Sequence, residues 1–128
     1  MLVLPIRIFA QDCVEPRMDE RILKGFVYDY KSKEPFPAVI ITLFDKFSVI
    51  KTVLSDLNGK FIMQVPRNNK LSDSLKLEFV FYEYKPAIIK GNIFNIKELN
   101  IEMYIDTSKY VSKEMYLRMY RERYDYNE

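Results

Sequence analysis

Apolar and polar residues alternate with period two through most of this chain, in short runs separated by turn residues. Leu23, Gly25 and Val27 alternate with Lys24, Phe26 and Tyr28, which predicts a first strand from Ile22 to Asp29. Ala38 to Phe44 predicts a second, with Val39, Ile41 and Leu43 on one face. Val49 to Leu54 is a third, and Lys60 to Val65 a fourth that turns Phe61, Met63 and Val65 to one side. Leu75 to Tyr84 gives a fifth, with Leu75, Leu77, Phe79 and Phe81 inward. Pro86 opens a sixth, Ala87 to Lys90, at a position where a ladder loses no needed N–H. Leu99, Ile101 and Met103 mark a seventh. Turns between them carry charge, proline or glycine: KSKEPFP at 31–37, Asp45-Lys46, RNNKLSDS at 67–74 and Gly91-Asn92. Seven short strands with this spacing predict an all-β, antiparallel sandwich.

The pattern changes near the end. From Tyr110 the apolar residues take helical spacing, with Val111, Met115 and Met119 on one stripe and Tyr116, Tyr120 and Tyr124 on the next. Ser112 is an N-cap candidate, Glu114 lies in the first turn, and Arg118, Arg121 and Arg123 lie where the helix dipole favours cations. A short C-terminal α-helix follows. Its Tyr116, Tyr120, Tyr124 and Arg118 form a candidate interaction surface, and whether the helix folds back on the sandwich is left open.

SDLNGKFIMQVP, residues 55–66, admits two readings. Asp56, Asn58 and Gly59 resemble the middle of a calcium loop, yet with Gly59 at position 6 the ligand positions 1 and 12 fall on Leu54 and Val65. Neither offers a side-chain oxygen. The same residues suit the tip of a β-hairpin, with Gly59 at positive φ and Asp56 bonding across the turn. Asp56, Asn58 and Gly59 are therefore expected to be a structural turn.

Composition narrows the chemistry. The 128 residues suit one domain, and 48% hydrophobic content with mixed charges argues against disorder. A net charge of +2 is too small for a nucleic-acid footprint, and no apolar run is long enough for a transmembrane helix. There is no histidine, which removes imidazole acid–base chemistry and histidine-based triads and metal sites. The single Cys13 cannot form an intrachain disulfide or a multi-thiolate zinc site. Acidic pairs such as Asp12 and Glu15, Asp19 and Glu20, or Asp56 and Asp73 lack a histidine or further ligands and read as solvated surface. No cofactor or metal is called for.

MLVLPIRIFAQ at the start is either the tail of a secretory signal peptide without its positive n-region, interrupted by Arg7, or an ordinary strand. Asp12 precedes Cys13 where a lipoprotein signal has a small residue. VEPRMDER, 14–21, reads as a linker.

Taken in order, several of these motifs resemble the carboxypeptidase regulatory-like domain, a transthyretin-like or prealbumin-like sandwich common in exported proteins of the Bacteroidota. Leu23, Gly25, Val27 and Asp29 match its opening strand, and Glu34-Pro35-Phe36-Pro37 its proline turn. Ser55-Asp56-Leu57-Asn58-Gly59-Lys60-Phe61 with Val65-Pro66 resembles its Thr-Asp-x-Asp-Gly-x-Phe hairpin, and Phe79 to Tyr84 its later aromatic strand. Glu83 stands where the family usually has glycine. Ile40 and Val80 are apolar at outward positions, which predicts that the outer face is partly covered.

The resemblance covers residues 22–105, leaving 1–21 as signal-like segment and linker and 106–128 as a helical tail. It implies a non-catalytic module of the cell envelope, periplasmic or outer-membrane associated. Its partner would be an envelope protein, as for domains at the front of TonB-dependent transporters. The related hydroxyisourate hydrolases depend on histidines, which this chain lacks. A carbohydrate-binding module using Tyr82 and Tyr84 is the alternative, and a small carboxylate-dependent hydrolase using Asp29 or Asp56 the remoter one.

Overall fold

Alternation becomes strand in each predicted run. The computed structural model describes residues 20–66, 71, 74–106 and 111–125. The signal-like start, Cys13 and Asp73 lie outside the described residues. Strand β1 (Glu20–Asp29) turns Leu23 and Val27 inward; β2 (Ile40–Asp45) turns Ile41 and Leu43 inward. Then come β3 (Ser48–Leu54), β4 (Lys60–Pro66), β5 (Leu75–Val80), β6 (Tyr84–Lys85) and β7 (Ala87–Lys90). A 3-10 turn (Ile93–Asn95), β8 (Leu99–Ile105) and the helix α1 (Lys113–Met119) complete the order, and a π-helical turn (Tyr120–Asp125) extends α1.

The strands form two four-stranded sheets, β4-β1-β8-β6 and β3-β2-β5-β7, packed face to face. Leu23, Val27, Phe61, Met63 and Met103 from the first meet Val39, Ile41, Leu43, Leu77 and Phe79 from the second. Phe61 and Phe79 bridge the sheets edge to face, ring centres 5.5 Å apart. Each fully buried side chain of this size contributes about 1.5–3 kcal/mol.

Three features differ from the sequence expectation. The described residues contain eight strands, not seven, because the predicted run Leu75–Tyr84 divides. Glu83 adopts φ +65°, and its N–H donates to the Val111 carbonyl, so the chain bends out of one sheet and Tyr84–Lys85 pairs with β8 in the other. The sandwich is antiparallel-rich but not wholly antiparallel, since β1 and β8 run parallel with Gly25 opposite Leu99 and Asp29 opposite Met103. Lastly, the turn at Asp56–Gly59 is not a hairpin tip. It joins β3 to β4, which belong to different sheets, so it arches over the side of the sandwich.

The helix folds back on the outer face of the second sheet. Ile40 and Val80, fully buried, pack with Val111 and Tyr116 in a second apolar cluster that Met119 and Tyr120 flank. Ser112 caps α1 through its side chain, which accepts from the Met115 N–H at 3.1 Å. Arg123 reaches past the cluster to Glu78 at 3.1 Å, and its guanidinium lies over the Phe44 ring.

Two substitutions separate the two clusters. Phe61→Ala opens the central core and should cost roughly 3–5 kcal/mol in chemical denaturation. Val80→Asp buries a charge beneath α1 and should release the helix, seen as fast amide exchange across 113–119, while the remaining strands stay protected.

Candidate functional site

The turn after β3 is fully occupied by its own backbone. Asp56 Oδ1 accepts from the N–H groups of Asn58 and Lys60, each at 2.9 Å. The Asp56 N–H donates to the Lys60 carbonyl, and the Gly59 N–H to the Asp56 carbonyl. Gly59 sits at φ +75° beneath β1, where a Cβ would lie 2.5 Å from the Val27 carbonyl oxygen. Ser55, buried beside it, donates to the Phe36 carbonyl at 2.7 Å and accepts from the Val39 N–H at 2.9 Å. Asn58 is exposed. Among the described residues no three His, Cys, Asp or Glu side chains gather as metal ligands.

The C-terminal residues expected to form a surface are divided by burial. Tyr116 is buried: its hydroxyl donates to the Ala38 carbonyl, and its ring meets Phe81 and Tyr82 edge to face. It is thus part of the helix–sheet contact and not of an open surface. Tyr120 and Tyr124 stack on each other at 5.3 Å, both half-buried, and Arg118 is exposed. Arg123, which the spacing marked only as a dipole partner, is the arginine that grips the sheet.

The other sheet leaves its outer face open. Lys24, Phe26 and Tyr28 of β1 project there, flanked by Ile62 of β4 and by Asn100, Glu102 and Tyr104 of β8. Tyr104 stacks on Tyr30 at 4.2 Å; Lys33 lies over the Tyr30 ring and bonds Glu102 at 2.9 Å. Ile62 and Tyr104 each keep about half their surface exposed (49% and 48%). Nothing in the alternation of β1 distinguished this face from the helix-covered one, since aromatic residues serve both. At its margin an open groove of about 470 Å³ runs between β8 and β7, lined by Ile88, Ile89, Asn100, Ile101 and Glu102.

Tyr82 and Tyr84 are half-buried and engaged, so they are not the open tyrosines that a sugar-binding reading needs. Tyr84 donates to Asp29 Oδ2 at 3.0 Å, and Asp29 Oδ1 accepts from the Lys31 N–H at 2.9 Å. Burial pushes the Asp29 carboxyl up, but the hydrogen bonds from Lys31, Tyr84 and Ser32 outweigh it and hold the group below its ordinary value. Burial, reinforced by Asp29, raises the Tyr84 phenol. The pair ties the end of β1 to β6.

No family model matches the chain, and no curated protein matches it in sequence. Among solved structures it is similar to a 9R-lipoxygenase from Cyanothece PCC8801, at 13% identity and a TM-score of 0.44 over 77% of this chain. The chain spans 18% of that enzyme's length. It is similar also to the 5-hydroxyisourate hydrolase of Klebsiella pneumoniae, at 13% identity and a TM-score of 0.43, over 73% of this chain and 99% of that one. The sequence expectation of a chain without catalytic activity is corrected here, since both of these similar structures are enzymes by name. The likenesses concern fold alone. The architecture itself is a sandwich of two four-stranded sheets.

Gly59→Val should destabilise the protein by at least about 2 kcal/mol, from positive φ and the clash with the Val27 carbonyl, whereas Asn58→Asp should leave the melting temperature nearly unchanged. Alkaline titration tests Tyr116. Burial, with Tyr82 and Tyr120 nearby, raises its phenol above the ordinary 10.0, so the folded state holds that proton more tightly than the unfolded chain. The resulting stability is complete below pH 10.0 and declines as pH rises through the folded value. Tyr116→Phe should lower stability at pH 7 and flatten the decline above pH 10 when denaturation is followed by circular dichroism.

Proposed function

We propose that this chain is an exported binding or support module of the bacterial cell envelope, of the carboxypeptidase regulatory-like kind. In this reading residues 22–105 form the module, residues 106–128 its helical addition, and an envelope or outer-membrane protein is its partner. One observation carries the reading: the two outer faces are treated differently. The helix covers the β2–β5 face, while on the β1–β8 face Ile62 and Tyr104 stay about half exposed and Phe26 and Tyr28 are half-buried, with no described helix over them. Aromatic and aliphatic groups together on one open sheet mark a surface that another molecule covers. The partner therefore meets the first sheet, and the C-terminal helix serves the fold.

A carbohydrate is the second reading, favoured by the exposed Tyr30–Tyr104 stack beside the Lys33–Glu102 pair. It takes the stacking platform from Tyr30 and Tyr104 in place of Tyr82 and Tyr84.

The test places a photo-crosslinking residue at Tyr28 and, separately, at Arg118, in cells of the native host. A discrete adduct should form from position 28 and not from 118. Ile62→Lys with Tyr104→Ala should abolish it while stability falls by only about 1–2 kcal/mol, the loss of the Tyr104–Tyr30 stack, and the fold stays intact. Adducts from 118 alone would refute the assignment. A glycan array bound by the wild type and not by Tyr104→Ala would select the carbohydrate.

A further inference from the structure

The two-residue length of β6 leaves most of one edge of β8 without a neighbour among the described residues. β6 pairs only with Tyr104 and Ile105, and then the chain leaves through Pro86 for the other sheet. On its far side β8 is fully paired with β1, and there the Met103 carbonyl accepts from the Tyr30 N–H at 2.9 Å. Backbone groups alternate in direction along a strand, so Ile101 and Met103 point toward β1. Asn100 and Glu102 therefore present their N–H and C=O groups to the groove. No described residue accepts or donates there. The facing edge, β7, is open in the same way: Gly91 bonds Leu75 on the β5 side, which turns the backbone of Ile88 and Lys90 outward. The groove thus lies between two rows of backbone groups that no described residue matches, with Ile89 and Ile101 among its apolar lining residues.

We infer that the groove beside β8 takes an extended peptide segment of the partner protein, added as a strand in line with β6. The spacing of donors and acceptors specifies the occupant: a backbone in β conformation satisfies both Asn100 and Glu102, as a flat apolar surface does not. The stretch opposite Leu99–Met103 that no described strand fills is roughly 17 Å long, room for a five-residue strand. Alternate side chains of such a strand enter between Ile89 and Ile101 and are apolar; the others lie beside Asn100 and Glu102 and are polar. The inference rests on the protein-binding reading above and names the partner's conformation.

Hydrogen exchange on the whole chain tests it in two stages. In the free protein the Asn100 and Glu102 amides should exchange faster than those of Ile101 and Met103. The probe is a panel of acetylated, amidated hexapeptides in which Val, Ile, Leu, Phe or Tyr alternates with Thr. At millimolar concentration at least one should slow Asn100 and Glu102 by about tenfold or more. N-methylation of that peptide on the residues facing β8 should then cost about tenfold in affinity, and on the opposite residues much less. Full protection in the free chain, no protection by any peptide, or equal loss from both methylation patterns would overturn the inference. So would protection that grows with protein concentration alone, which assigns the edge to a second copy. A surviving Tyr28 adduct alongside any of these outcomes leaves the protein-binding reading in place and removes only the added strand.

Discussion

Residue 25 has no room for a side chain: a Cβ there would lie 1.9 Å from the Leu99 carbonyl oxygen and 2.7 Å from its carbon. Glycine is what lets the first and last strands of the first sheet lie side by side, and much of the molecule hangs on that contact. It places β1 in the middle of its sheet, antiparallel to β4 and parallel to β8. It also sets the register that brings Tyr104 onto Tyr30 and Glu102 to Lys33. Because β1 occupies one side of β8, the other side becomes the sheet's unfinished edge.

The sandwich manages its two outer faces by different means. Over the second sheet, Ile40 and Val80 are buried by Val111 and Tyr116. Phe81 continues the contact inward, meeting Phe36 at 4.8 Å and Tyr116 at 5.0 Å, so the helix is coupled through rings to the main core. The Arg123–Glu78 pair adds orientation more than energy, since partly exposed ion pairs contribute roughly 0–1 kcal/mol. Over the first sheet no described element lies. A partner that covers this face completes a burial that the chain itself performs on the opposite side.

Much of the architecture was legible in the residues. Leu23, Val27, Val39, Ile41, Phe61, Met63, Leu77 and Phe79 face the core as their alternation predicts, because a one-residue slip would expose the whole set. Ser112 caps the helix where its position beside Lys113 and Glu114 indicates. Ile40 and Val80 signalled a covered face before anything showed what covers it. The open aromatic face was not legible: Phe26 and Tyr28 read alike whether a helix, a partner or water lies over them. Tyr116 misled for the same reason, since a tyrosine stripe at helical spacing does not say which side the helix turns to its protein.

Local chemistry by itself determined which runs become strands, which of their side chains point inward, and that residues 56–59 turn the chain through a glycine at positive φ. Those outcomes depend on neighbours one to four positions away. Tertiary structure alone decided that β3 and β4 part into different sheets, that Glu83 bends the chain so Tyr84 and Lys85 pair with β8, and that β8 runs parallel to β1. Each of these is a pairing between strands distant in sequence, selected by which backbone groups find partners once the core has formed. Periodicity carries no record of that choice, and the open edge of β8 is its consequence.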